Sequence, residues 1–226
     1  MEGMYNLVKD FFSHDMDLVD LFDSEAIIWI DWREYDEDVV NYFNDMMDEP
    51  IDIQIVSNGK PYGDDIVLKN GNKELQIPYG DEQDRDVTIK YFNDFVQPDY
   101  EVRWFAESLG NDTLGFTVLS GAEWAKLNDE FGEDVIRYYF EPIDFESDMF
   151  NLGMDEVFAL LALRENSEGV NTQFSTQLDW IRIINKEKTL TEQKENGQID
   201  LKQYMVAKKE LQQSKDDFIA AHGPMK

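Results

Sequence analysis

Cysteine is absent from the 226 residues, which excludes disulfides, zinc–thiolate sites and thiol nucleophiles. Histidine is nearly absent. His14 falls in the opening helical stretch and His222 four residues before Lys226, and each reads as solvated or locally satisfied. The chain contains no HExxH, no Gly-Lys-Ser/Thr phosphate loop, no GxGxxG and no GxSxG, so the familiar catalytic and nucleotide-binding motifs are missing. No run of 18 apolar residues occurs, and no membrane span is expected. Basic residues are scarce, at 20 Lys+Arg against 49 Asp+Glu. Direct nucleic-acid binding is therefore not expected, because it depends on neutralising phosphates with Lys and Arg. The opening Met1-Glu2-Gly3-Met4-Tyr5 lacks a basic segment followed by an apolar one. No secretory signal is read there, and the expected location is cytoplasmic. Asn111-Asp112-Thr113 fits a glycosylation sequon, which has no consequence without export.

What is present is apolar material and negative charge. Hydrophobic residues make up 42% and aromatics 13%. A chain of this length should bury roughly 70% of its unfolded surface, and disordered chains are poor in aromatics. A folded core is expected in spite of a formal charge of −29. The charge is uneven. Residues 1–168 hold 11 Lys+Arg and 41 Asp+Glu, a net of −30, and residues 169–226 hold 9 and 8, a net of +1. The break lies in the polar stretch Glu165-Asn166-Ser167-Glu168-Gly169. It suggests an acidic globular domain, 1–168, followed by a near-neutral helical extension, 169–226.

Hydrophobic spacing predicts a helix over 4–22 and a short buried strand at Ala26 to Ile30. Asp36-Glu37-Asp38 opens a helix, since anions favour its N-terminal end, and Pro50 closes it. Ile51 to Val56 alternates as a strand. Residues 64–78 read as a hairpin about Asn70-Gly71, a pair suited to a type I′ turn. Asp84 to Gln97 is predicted helical, and Tyr100 to Ala106 and Leu114 to Leu119 are predicted strands. Ser120 and Glu123 have capping-box spacing, with Gly132 at the helix end. Val135 to Phe140 fits helix or strand. Met154 to Arg164, a segment near Leu178 to Ile184, and Asp200 to Ala220 are predicted helical. The expected fold is α+β: a mixed, mostly antiparallel sheet with flanking helices, plus a C-terminal helical extension.

A net charge of −30 within 168 residues costs stability through self-repulsion, and so invites a reason. Acidic clusters recur along these residues, four in number. Asp31, Asp36, Glu37 and Asp38 lie beside Trp32 and Tyr35. Asp81, Glu82, Asp84 and Asp86 follow Tyr79. Asp129, Glu130, Glu133 and Asp134 precede Tyr138 and Tyr139. Asp144, Glu146 and Asp148 form the last. Carboxylates for steering and aromatics for desolvated anchoring suit the binding of a basic protein, and these residues are the candidate partner-binding set. Asp81 to Asp86 comes nearest to a divalent-ion loop but lacks its glycine and closing Glu. No catalytic residue, metal site or cofactor is assigned.

In the extension, Gly197, Ile199, Tyr204, Lys208 and Leu211 follow an order similar to the short C-terminal helical module called SHOCT, with Lys202 and Gln203 standing where that module carries an acidic pair. A plain amphipathic helix that packs on the domain or on another chain is the alternative, and the C-terminal helices are candidates for self-association. The whole profile, small, cysteine-free, strongly acidic and α+β, resembles the bacterial immunity proteins. That resemblance is of profile and gives no individual residue a role. It implies a stoichiometric inhibitor of a toxin with a basic surface. A DNA mimic that inhibits a DNA-binding protein, and a metal-dependent enzyme built on buried carboxylates, are the competing expectations. A scaffold acting through the C-terminal helices is a further one.

Overall fold

The computed structural model describes residues 2–60, 63–166 and 172–225. The chain forms two compact units, residues 1–152 and 153–226. The first holds α1 (Glu2–Phe12), α2 (Leu18–Phe22), β1 (Ile28–Asp31), α3 (Asp36–Asp45), β2 (Asp52–Val56), β3 (Asp65–Asn70), β4 (Lys73–Gln76), α4 (Arg85–Val96), β5 (Tyr100–Phe105), β6 (Thr113–Ser120), α5 (Gly121–Phe131), α6 (Glu133–Tyr139) and β7 (Phe140–Pro142). The second holds α7 (Met154–Asn166), α8 (Phe174–Glu195) and α9 (Leu201–His222). The fold is α+β with a C-terminal group of helices. The strands form two sheets, ordered β1–β6–β5–β7 and β2–β3–β4, and every pair is antiparallel.

The four-stranded sheet is covered on both faces. On one, Phe116 of β6 meets Phe43 of α3 at 5.7 Å, and Phe43 meets Phe92 of α4 at 5.6 Å. On the other, Phe105 and Leu119 join Met4, Val8 and Phe12 of α1 and Trp124 and Leu127 of α5 in one cluster. This double cover explains why six consecutive residues of β6, Leu114 to Leu119, are buried. Burying both faces removes the polar alternation of a half-exposed strand. Asn93 ties α4 to the sheet, donating to the Ile143 carbonyl at 2.8 Å and accepting from the Val102 amide at 2.7 Å. At the start of α5, a Cβ on Gly121 would stand 2.4 Å from the Pro98 carbonyl oxygen, so the helix begins closer to that loop than any side chain allows.

Several local expectations change. The helix expected over 4–22 breaks into α1 and α2, because His14 adopts a positive φ of 63° and Asp17 caps the second piece. The hairpin centres on Gly71-Asn72, since Asn70 pairs with Lys73. Only Gly71, at φ 56°, is left-handed there, which is the glycine placement of a II′ turn rather than I′. Val135 to Phe140 is both alternatives in succession, helix α6 and then β7. The domain boundary expected between residues 168 and 169 lies outside the described residues. The compact units divide at Leu152 and Gly153, so α7 goes with the C-terminal helices. There Arg182 pairs with Glu156 at 3.0 Å and Arg164 donates to Gln177 at 3.1 Å.

Candidate functional site

The N-terminus of α4 organises the first acidic cluster. Asp84 caps the helix, its carboxylate accepting from the Val87 amide at 3.1 Å. Arg85 then spends its guanidinium on the segment Asp31 to Asp36. Nε donates to Asp36 Oδ1 at 2.6 Å, Nη1 to the Asp31 carbonyl at 2.8 Å, and Nη2 to the Glu34 carbonyl. The ring of Phe150 lies under this group, 5.5 Å from centroid to guanidinium carbon. Asp36 is only 4% exposed, and its second oxygen accepts from Thr88 Oγ1 at 2.7 Å. The Tyr79 hydroxyl also meets Thr88 Oγ1, at 2.7 Å. Burial drives the Tyr79 phenol far above its ordinary value, with the charges of Asp36 and Glu37 adding to the rise.

The loop between β1 and α3 is thus fixed at both ends by one arginine. Within it Asp31 accepts from the Arg33 amide at 2.8 Å and Glu34 from the Asp31 amide at 3.3 Å. Burial holds the Glu34 carboxyl above the usual glutamate value. Two aromatics stand out from this fixed loop. Trp32 is 63% exposed and Tyr35 68%. The Arg33 guanidinium sits 5.0 Å from the Trp32 ring centre. Tyr42, further along α3, is also exposed. Its hydroxyl is raised above the ordinary tyrosine value by the negative charges of Glu34 and Asp38. The result is an aromatic platform set in acids, with its backbone anchored from below.

The structure sorts the remaining candidates. Asp36 and Asp86 are buried and act within the fold, so neither presents its charge to a partner. Asp86, 1% exposed, accepts from the backbone amides of Phe150 at 2.8 Å, Met149 at 3.0 Å and Asn151 at 3.2 Å. Burial still raises its carboxyl above the usual aspartate value, against the lowering effect of those donors. Asp84 is half-buried and also receives the Asn151 side-chain amide at 3.2 Å. Asp81 and Glu82 are exposed, while Glu37 and Asp38 are half-buried. Asp129, Glu130, Glu133 and Asp134 are exposed on α5 and α6. Lys9 meets Glu130 at 2.8 Å, and Arg137 meets Glu133 at 3.5 Å. Asp144 shapes its own turn by accepting from the Glu146 amide at 2.9 Å and from Ser147 Oγ at 3.1 Å. Glu146 is exposed and Asp148 half-buried. Tyr79, Tyr138 and Tyr139 are half-buried rather than exposed, and Tyr139 packs edge-on against Phe11 at 4.9 Å. Of the aromatics expected as anchors, Trp32 and Tyr35 are the exposed ones.

Sequence reasoning missed Arg85 and Tyr42. The available signal for Arg85 was a lone cation between two acids in Asp84-Arg85-Asp86, since a helix start rich in anions gains nothing locally from an arginine. Among the described residues, no group of three or more His, Asp or Glu is placed to hold a metal ion. The C-terminal unit has a groove of about 570 Å³ lined by Arg182, Asn185, Lys186, Leu190, Leu211 and Ser214, among others. Among the described residues no helix is long and apolar enough to cross a membrane. Comparison with protein-family models, with curated proteins and with solved structures finds no match to the chain.

Proposed function

We propose that this chain is an acidic protein-binding inhibitor that neutralises a cationic protein, in the manner of an immunity protein blocking a toxin. The observation that carries the reading is the Trp32–Tyr35 platform. Large aromatics are enriched among the residues that anchor interfaces. Here they stand on a loop fixed by Arg85, so little conformational entropy is lost when a partner closes over them. The acids around them would attract a basic surface at long range and speed encounter. The partner called for is a protein with a basic active-site groove or face. The chain's own role is to cover that face, with no covalent chemistry.

The test is capture from the native host. Lysate is passed at low salt over the immobilised chain and over a Trp32→Ala/Tyr35→Ala double variant, then eluted with a salt gradient. A single basic protein retained by the native chain to high salt, and lost from the variant, supports the reading. The same scatter of basic proteins leaving both columns at modest salt counts against it, because charge alone would then explain retention.

Self-association through the C-terminal helices is a second, independent proposal. Met154 (65% exposed), Phe158 (62%) and Leu161 (37%) recur at helical spacing along one side of α7, in a unit carrying 10 Lys+Arg against 12 Asp+Glu. Near-neutrality removes the repulsion that opposes pairing of the acidic units. Sedimentation of the native chain and of Phe158→Glu tests it. A dimer lost in the variant supports the proposal, and a native monomer at 100 µM or about that concentration contradicts it.

A further inference from the structure

The three-stranded sheet has a free edge. Its order is β2–β3–β4, so β2 pairs with β3 along one side alone among the described residues. An unpaired strand edge presents a row of backbone N–H and C=O groups and is a template for another strand. Proteins commonly blunt such edges with lysine, proline or a bulge. β2 reads Asp-Ile-Gln-Ile-Val, with neither lysine nor proline and with a single charge, Asp52, at its first position. Its register runs unbroken from Asp52 opposite Lys69 to Val56 opposite Asp65, so it has no bulge either.

The register also fixes what each face of the edge offers, because residues directly opposite one another share a face. Ile53 lies opposite Leu68 and Ile55 opposite Ile66. Leu68 and Ile66 are fully buried, whereas Ile55 is 42% exposed. Ile53 is half-buried, so the apolar face is covered at β3, partly covered at Ile53 and open at Ile55. A further strand with apolar side chains on that side would complete it. The other face carries Asp52, Gln54 and Val56 of β2 opposite Lys69, Val67 and Asp65 of β3, so a carboxylate stands at each end, and Lys69 is already held by Glu74 at 3.2 Å. Basic side chains fit that side.

Charge decides between two kinds of occupant. Residues 1–152 carry 10 Lys+Arg and 37 Asp+Glu, a net of −27, so pairing β2 with the β2 of a second copy would press two such units together. We propose that β2 accepts an extended segment of a cationic protein as an added strand, with its apolar residues alternating with basic ones. The main-chain bonds supply affinity, and the alternating side chains select the segment. This inference rests on the reading of the chain as a binder of a basic protein and assigns that reading a second contact surface.

Hydrogen exchange of the full chain at low salt tests it. The probe is a seven-residue peptide of alternating lysine and valine. The control is the same peptide with every backbone amide N-methylated, which keeps the charge and side chains but cannot pair as a strand. The expected result is that the plain peptide slows amide exchange at residues 52–56 by about tenfold and the methylated one leaves it unchanged. Equal slowing by both peptides, or by neither, overturns the proposal. Slowing at residues 31–35 without any at 52–56 overturns the edge assignment while leaving the binder reading intact. Slowing at 52–56 that grows with protein concentration in the absence of peptide assigns the edge to a second copy, and also overturns it.

Discussion

Asp86 holds three backbone amides on two oxygens in a place almost closed to water, and its removal leaves all three without an acceptor. Asp86→Ala should cost about 3 kcal/mol, seen as a fall in melting temperature of roughly 10 °C. Asp86→Asn should fall between, since its amide nitrogen faces donors. The carboxyl also sets a pH dependence. Its value in the fold lies above the ordinary one, so the folded chain binds this proton more tightly than the unfolded chain does. Its ionised form therefore weighs against the fold at neutral pH, and that penalty is relieved as pH falls through the raised value. The stability of the native chain relative to Asp86→Asn should rise on acidification from neutral pH, measured by chemical denaturation of both. Arg85 carries the other residue-scale expectation. Arg85→Met leaves Asp36 buried without its cation, at a cost of about 3–5 kcal/mol. Arg85→Lys keeps the charge but cannot reach Asp36 and two carbonyls with one planar fork. Limited proteolysis should then cut near residues 31–35 in Arg85→Lys before it cuts the native chain.

At the scale of elements, the ends of helices were the most legible features. Ser120 accepts from the Glu123 amide at 3.2 Å and Glu123 returns to the Ser120 amide at 2.9 Å. Asp200 and Gln203 form the same box at the start of α9. These follow from side-chain types at fixed spacing, so the chain declares them locally. Ser120→Ala should lower stability by about 1 kcal/mol, readable as a small shift in the denaturation midpoint with an unchanged slope. What resisted reading was decided at a distance. The 4–22 stretch has helical spacing throughout, yet the chain turns at His14 so that α1 and the residues after α2 can both reach the Phe105 side of the sheet. The count of sheets depends on which strands pair, and strand alternation alone is silent on that. The candidate surface divides in the same way. Trp32 and Tyr35 were visible as aromatics among acids, but the burial of Asp36 and Asp86 follows from Arg85 and from amides 63 to 65 positions away from Asp86.

On the scale of the whole molecule, charge marks the two units without marking their boundary. The first unit has a net of −27 and the second, with 10 Lys+Arg and 12 Asp+Glu, a net of −2. Composition assigned α7 to the acidic part because of Asp155, Glu156 and Glu165. Packing assigns it to α8, through contacts such as Arg182 with Glu156, which composition cannot express. Self-repulsion in the first unit should make stability rise with salt as the charges are screened. A thermal melt at 20 mM and 500 mM salt, or about those values, checks this, and a flat or falling melting temperature would contradict it. In the proposed binding, long-range charge brings a basic protein in and Trp32 and Tyr35 hold it. The most direct measurement is the association and dissociation rate of the captured basic partner with native chain and with Trp32→Ala/Tyr35→Ala, across a salt series. Steering by charge and anchoring by aromatics require association to slow with salt equally in both, and the double variant to dissociate about 30-fold faster, equivalent to about 2 kcal/mol. An unchanged dissociation rate in the variant, or association insensitive to salt in the native chain, would contradict it.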